Sequence, residues 1–377
     1  MPTDLESVLL PAGLRDVLPP EAAHEAAVVE ALIARFAAYG YERVRPPLVE
    51  FEDSLLAGTG AATAAQTFRL MDPVSQRMMG VRTDITVQVA RVAASRLAKA
   101  PRPLRLSYAG AVLRVRGTTL MPERELRQVG VELIGSAAPA ADAEVVVLAA
   151  DALWAVGVAK LSIDLNLPRL VPILLEQVPV RDKDGLRHAL DHKDAQRVTA
   201  AAGGSASLFR SLLAAAGPAA EALSALDALE LPGQARQEVS RLKTVAALIA
   251  GAAPSLALTI DPVEHRGFEY QTGISFSIFV AGVRGELGRG GRYAAGAGEP
   301  ATGFTLAMET VLRALPEAVA PKRVYLPAGT PAVVAERLRA EGWMALAALD
   351  PAADADGEAR RLGCTHVCRD GRPVELK

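Results

Sequence analysis

Asp84, Arg114, Glu132 and Arg266, with Gln128 and Tyr293 beside them in pattern, are the polar side chains of this sequence best suited to act together. A zwitterionic amino acid needs such a set: carboxylates for its ammonium, an arginine for its carboxylate and polar groups for its side chain. A network of buried structural ion pairs uses the same residue types, so the types alone leave both readings open. Glu132 carries the most information. The segment Glu125–Ile134 alternates, placing Leu126, Gln128, Gly130 and Glu132 on one face and Arg127, Val129, Val131 and Leu133 on the other. A carboxylate on a central strand is costly unless paired, so this face is expected to line a site rather than to meet solvent. A second concentration of charge, Asp261 to Tyr270, contains Glu264, His265, Arg266 and Glu269 and runs directly into an alternating strand, Ile274–Val280. Charged groups at the mouth of a buried strand are how a rigid sheet presents polar atoms to a small ligand.

Other chemistries have weaker support. No Walker loop, nucleophile elbow or dinucleotide fingerprint follows a strand pattern. Gly288-Arg-Gly-Gly-Arg292 lies between strand signals and fits a close-approach hairpin better than a phosphate cradle. Cys364, His366 and Cys368 lack the second ligand pair of a structural zinc site and are expected as buried strand residues. His188 and His192 fall one helical turn apart, without the glutamate of the zincin pattern, and are expected on a solvated helix face. No metal and no cofactor is expected.

The elements that must position these groups follow from periodicity. Val29, Leu32, Ile33 and Phe36 mark a helix over about 21–39, closed by Gly40. A proline-broken strand covers 41–50, a mobile loop is expected around 57–66, and Asp72-Pro73 turns a hairpin between 67–71 and 76–81. A helix begins at Arg82–Thr86, with Thr83 or Asp84 as N-cap, and runs to about Ala98. Strands are expected at 104–108, 111–115, 125–134, 160–165, 256–260 and 274–280, a glycine-rich strand pair at 285–293, and helices at 141–156 and 302–315. The block from about 168 to 252 is helical throughout, contains no strand signal, and is expected as an insertion into the sheet domain. After a proline linker, the tail has a βαβαβ rhythm. The organisation is therefore α+β: a sheet domain over 1–318 and a small α/β module over 319–377.

Composition bounds the function. The net charge of −2 gives no global reason to expect a nucleic-acid partner. No apolar run is long enough to cross a membrane, and the acidic N-terminus does not read as a secretory signal. With 2 cysteines and no disulfide framework, a cytoplasmic setting is expected.

The motifs together carry a resemblance. Gly13-Leu-Arg-Asp-Val-Leu-Pro19, Tyr39 to Pro47, Arg82-Thr-Asp-Ile-Thr86, Leu113 to Gly135, Arg266-Gly-Phe-Glu-Tyr270, Gly290-Gly-Arg-Tyr293 and Thr302-Gly-Phe304 to Glu309 resemble the catalytic domain of histidyl-tRNA synthetase. Within that class II aminoacyl-tRNA synthetase group the chain looks most like the regulatory subunits of ATP phosphoribosyltransferase. The resemblance implies an antiparallel sheet flanked by helices. It also implies a histidine-like pocket formed by Asp84, Thr86, Arg114, Gln128, Glu132, Arg266, Tyr270 and Tyr293. Asp84 is shorter than the family's glutamate. On the nucleotide side the pattern fails: Thr310 stands for the motif 3 arginine, Arg116 for a motif 2 glutamate, Pro122 for a second motif 2 arginine and Gln271 for a ring-recognising tyrosine. Losing the arginine that stabilises a transferring phosphoryl group costs orders of magnitude in rate, so no catalysis is expected. The resemblance further implies a homodimer within a hetero-oligomer, a catalytic ATP phosphoribosyltransferase subunit as partner and histidine as effector. The alternative is a truncated synthetase or another amino-acid-activating ligase.

Overall fold

The structure, a computed structural model, describes residues 9–118, 121–264, 271–317 and 321–376. Arg266 and Tyr270 lie outside the described residues. The chain divides into two compact units, Met1–Pro316 and Glu317–Lys377.

The larger unit is built on a nine-stranded sheet. Its strands are β1 (Glu42–Arg43), β2 (Leu104–Leu113), β3 (Glu125–Ile134), β4 (Leu161–Asn166), β5 (Gly217–Pro218), β6 (Ala257–Asp261), β7 (Gln271–Val280), β8 (Gly288–Ala294) and β9 (Pro300–Ala307). Their spatial order is β1-β2-β3-β9-β8-β7-β4-β6-β5. Every neighbouring pair from β2 to β4 is antiparallel. The flanks differ: β1 joins β2 and β6 joins β4 in parallel, and β5 pairs antiparallel with β6. This is the α+β antiparallel sheet expected from the motifs.

Alternation along these strands separates two faces. Val129, Val131, Leu133, Ile163, Leu165, Ile274, Phe276, Ile278, Phe304 and Leu306 point into one continuous core. The helices α1 (Glu21–Ala38) and α3 (Pro139–Ala155) supply Val28, Leu32, Phe36, Val145, Leu148 and Leu153 to the same core. Phe36 meets Phe304 edge-on at 5.6 Å between centroids. Each fully buried side chain of this size is worth roughly 1.5–3 kcal/mol. The opposite face is different in kind. Glu132, Gly303, Gly291, Ser275 and Asn166 stand opposite one another in one cross-strand row. Tyr108, Gly130, Thr305, Arg289, Ser277 and Asp164 form the next. The helix α2 (Thr86–Ala94) lays Val89 and Ala93 against Leu106, Leu126 and Ile134, where they form a smaller apolar cluster.

Several expectations are corrected. Thr302–Ala307 is not helical: it is part of β9, and only Met308–Ala314 forms a helix. Pairing on both sides, with β3 and β8, outweighs the helix-like spacing of its apolar residues. The segment 57–66 is not a loop but a 3-10 helix, Gly58–Gln66, in which the Thr63 hydroxyl donates to Gly60 O at 2.8 Å. The strands expected at 104–108 and 111–115 are one, β2. The 41–50 strand splits instead between β1 and Val49–Phe51, which belongs to a separate three-stranded sheet with Arg69–Met71 and Met78–Val81. The expected glycine-rich pair at 285–293 is the single strand β8. The helical block does contain a strand, β5. Gly217, at φ +155°, lets the chain lie along β6, and Pro218 follows it on the edge.

The insertion helices carry local caps: Asp182 accepts from the Gly185 N–H and Asp194 from those of Gln196 and Arg197. A buried ion cluster ties the last of them, Gly233–Ala252, to the core. Asp142 of α3 accepts from Arg292 of β8 at 2.7 Å and from Arg241 at 2.6 Å. Arg292 also donates to Ser136 O, and Arg241 to Ala137 O. In the smaller unit, Met344–Ala347, Arg323–Leu326, His366–Arg369 and Arg372–Glu375 make a four-stranded sheet in that order, with helices Ala332–Ala340 and Ala355–Arg361. Cys364 and Cys368 are free and buried there.

Removing the carboxylate of Asp142 strands the buried Arg292 guanidinium. Asp142→Ala is expected to lose about 3–5 kcal/mol in urea unfolding. A loss below about 1 kcal/mol would show that the triad does not bind the insertion to the sheet.

Candidate functional site

Glu132 sits in the middle of β3 with only 1% of its surface exposed. Its Oε2 accepts from the Tyr293 hydroxyl at 2.9 Å and its Oε1 from the Tyr108 hydroxyl at 3.3 Å. Tyr108 also exchanges hydrogen bonds with Thr305 Oγ1 at 2.7 Å and Thr86 Oγ1 at 3.2 Å. Gly303 is paired with Glu132 across the sheet, and a Cβ there would collide with Glu132 Oε2. At Gly130 a Cβ would stand 2.5 Å from the Tyr108 hydroxyl. These glycines are needed for close approach: each leaves the space that a functional side chain occupies.

The second carboxylate is held by the start of α2. Asp84 Oδ1 accepts from the Thr86 N–H at 2.8 Å, a local side-chain turn just ahead of the helix. The N-cap position of the helix is Ile85, without a side-chain cap, and the helix ends at Ala94, so neither Thr83 nor Asp84 caps it as expected. Asp84 Oδ2 accepts from Gln128 Nε2 at 3.0 Å, and Gln128 Oε1 in turn accepts from the Ile85 N–H at 3.0 Å. Arg82, buried two residues earlier, fixes this turn by donating to Ala111 O at 2.7 Å and Pro46 O at 2.9 Å. Asp84, Thr86, Gln128, Glu132 and Tyr293, five of the expected site residues, thus share one chain of hydrogen bonds with Tyr108 and Thr305. Arg114 does not join that chain. It follows β2, half-buried, and its N–H donates to Arg124 O at 2.8 Å.

Electrostatically the cluster is an acceptor for a cation. Among the described residues neither Asp84 nor Glu132 has an ion-pair partner. Burial pushes the Glu132 carboxyl up to about 8, the nearby Asp84 adds to that rise, and the hydroxyls of Thr86, Tyr293 and Tyr108 oppose it. Burial, together with Glu132 and Asp84, likewise pushes the Tyr108 phenol well above its usual range. A ligand ammonium placed beside Glu132 would favour its charged form.

Tyr108 and Thr305 were not singled out from sequence. Tyr108 does share the alternation of Leu104 and Leu106 and sits opposite Gly130, but a buried tyrosine in that pattern reads equally as core. Thr305 was hidden by the helical reading of its segment. On the nucleotide side, Thr310 is buried in the helix Met308–Ala314 and its Oγ1 accepts from Arg313 at 3.3 Å. Arg116 is exposed, with its N–H donating to Gln66 Oε1 at 3.3 Å. Glu309 anchors that helix by accepting from the Arg127 N–H of β3 at 2.7 Å.

The antiparallel sheet and its paired acidic residues define a class II aminoacyl-tRNA synthetase-type core. The sequence profile of histidyl-tRNA synthetases matches residues 13–311. An ATP phosphoribosyltransferase regulatory subunit of Rhodospirillum centenum is 57% identical, over 100% of this chain and 98% of its own. One from Paramagnetospirillum magneticum is 56% identical, over 98% of each. Among solved structures, a Bacillus halodurans protein described as an ATP phosphoribosyltransferase regulatory subunit/histidyl-tRNA synthetase has a TM-score of 0.81 at 23% identity, covering 94% of this chain and 96% of its own. The histidyl-tRNA synthetase of a Nostoc species gives 0.80 at 18%, covering 96% and 90%. The chain belongs to the histidyl-tRNA synthetase family and, within it, to the ATP phosphoribosyltransferase regulatory subunits.

The raised Glu132 carboxyl has a defined pH signature. The folded protein holds this proton above the unfolded value, near 4.3 for glutamate, so the contribution is fully present below that value. It is lost as pH rises through about 8. Glu132→Gln is therefore expected to flatten the fall in Tm between pH 5 and pH 9 relative to wild type. Parallel Tm profiles for the two proteins would show that Glu132 is ionised throughout.

Proposed function

We propose that this chain is a non-catalytic regulatory subunit that assembles with a catalytic ATP phosphoribosyltransferase subunit, acts in histidine biosynthesis and binds histidine as an effector. The observation that carries the reading is the full-length correspondence, at 57% identity, to a regulatory subunit from another bacterium. The site supports it in two ways. The amine-binding carboxylates Asp84 and Glu132 are kept and joined in one hydrogen-bonded cluster. The phosphate-handling side is not kept: a buried threonine, Thr310, stands where the synthetases carry an arginine. A threonine hydroxyl cannot supply the charge that stabilises a transferring phosphoryl group.

In this reading the chain is a homodimer within a hetero-oligomer in the cytoplasm, and the catalytic partner requires it for activity. Among the described residues no helix is long and apolar enough to cross a membrane. Histidine regulates only if it binds the active and inhibited assemblies with different affinity, because an effector with equal affinity for both shifts nothing. The ammonium would sit between Asp84 and Glu132. Arg266 and Tyr270, outside the described residues, and Arg114 are the proposed contacts for the rest of the ligand.

The reading is tested by co-purification with a catalytic subunit and by its activity with and without this chain. The expected result is a stable complex whose activity depends on the chain, together with no histidine-dependent ATP–pyrophosphate exchange by the chain alone. Robust exchange would make it a ligase instead. In the same complex Glu132→Gln is expected to weaken histidine binding about 10-fold or more, read by calorimetry. Unchanged affinity would move the effector site elsewhere.

A further inference from the structure

The insertion helix Lys183–Asp191 closes on a pair of histidines, away from the carboxylates of the sheet. The His192 N–H donates to His188 O at 3.2 Å, so the two residues share one face a helical turn apart. Both are exposed, as expected from their spacing. Their rings are nevertheless together: the centroids lie 4.1 Å apart, with the planes tilted by 44°. A second bond holds one of them in place, because His192 Nδ1 lies 2.8 Å from His188 O. A carbonyl oxygen only accepts, so Nδ1 carries the ring proton and donates it. That choice of tautomer leaves the lone pair of His192 on Nε2. Among the described residues, neither this Nε2 nor the ring nitrogens of His188 have a protein hydrogen-bond partner.

An imidazole anchored through one nitrogen to a backbone carbonyl, with the other nitrogen free, is how ligating histidines are held: the anchor fixes both tautomer and orientation. Two imidazoles in contact on one helix face can bring their free nitrogens to a single ion at about 2.0–2.1 Å each. The ligand type selects the metal. Imidazole suits Zn2+, Cu2+ and Ni2+, whereas Mg2+ and Ca2+ require oxygen. The neighbouring cations are already engaged: Arg187 faces Asp184 at 3.6 Å, and Lys193 reaches away to Asp261 at 2.6 Å. Among the described residues no group of three or more His, Cys, Asp or Glu side chains is gathered for a metal. The remaining coordination positions therefore fall to water, as in an open, exchangeable site.

We propose that His188 and His192 form a two-imidazole site for a divalent transition-metal ion on the insertion. It does not depend on the amino-acid site or on the reading of the chain as a regulatory subunit. Its place has a structural consequence. Lys193, at φ +53°, follows directly and pairs with Asp261, the last residue of β6. An ion held by the two rings braces the turn that joins the insertion to the sheet.

The test is a calorimetric titration of the full chain with Zn2+ near neutral pH, with Mg2+ as the control ion. Wild type is expected to take up about one Zn2+ per chain with a Kd on the order of 10 µM, and no Mg2+, since two imidazoles supply half the ligands of a structural zinc site. His188→Ala and His192→Ala are each expected to weaken Zn2+ about 10-fold or more, because the second ring binds intramolecularly once the first is engaged. Both side chains are exposed, so the metal-free Tm of each variant is expected to match wild type. Bound Cu2+ gives an independent readout: nitrogen hyperfine structure in its electron paramagnetic resonance spectrum, lost in the double variant. No uptake of Zn2+, or equal uptake of Mg2+, would overturn the site. So would uptake that survives in both variants, as binding at Cys364, His366 and Cys368 would. Loss in only one variant would reduce the pair to a single imidazole and overturn it equally.

Discussion

A carboxylate buried at the centre of an antiparallel sheet is the constraint that the rest of the larger unit accommodates. Glu132 is almost wholly buried and, among the described residues, has no cation; its oxygens are met by the Tyr293 and Tyr108 hydroxyls. Those hydroxyls need room, and the sequence supplies it at Gly303 and Gly130, where any side chain would intrude. Tyr108 in turn draws in Thr305 and Thr86, and Thr86 belongs to the turn that Asp84 and Gln128 hold. Residues from four strands and a helix start are thus fixed around one buried carboxyl. A fold built for stability alone would place valine here. The arrangement supports the proposed reading of these carboxyls as the amine end of a ligand site.

The opposite face explains how such a site is tolerated. The large apolar cluster beneath the sheet, fed by α1, α3 and the insertion, supplies the hydrophobic stabilisation against which a few unsatisfied polar atoms weigh little. The division of labour is strict along each strand. On β3, Val129, Val131 and Leu133 go down while Gln128 and Glu132 go up; on β7, Phe276 and Ile278 go down while Ser275 and Ser277 go up. Sliding either strand by one residue would exchange these sets, so function and register are specified by the same pattern.

Much of this was legible in the sequence, for identifiable reasons. Glu132 and Gln128 stood out because a strict alternation carried polar residues where apolar ones belong. Asp84 and Thr86 stood out because they sit at a helix start. The misreadings came where local signals conflict with sheet pairing. Thr302–Ala307 has spacing compatible with a helix, and only its neighbours β3 and β8 make it a strand. Gly217–Pro218 is too short to carry any periodicity. Tyr108 could be known as a site residue only once Gly130 and Thr305 were placed beside it.

Both margins of the sheet are two residues long: Glu42–Arg43 at one side, followed at 46–47 by a pair of prolines, and Gly217–Pro218 at the other. A proline offers no N–H, and charged or very short margins give an incoming strand little to pair with. Recruitment of another polypeptide by extending this sheet is therefore disfavoured at both ends. Association through this part of the molecule is left to side-chain surfaces, where recognition depends on shape and charge rather than on the generic backbone. For a protein proposed to work only inside a larger complex, that geometry turns association from something any extended chain might achieve into something only a matched partner can.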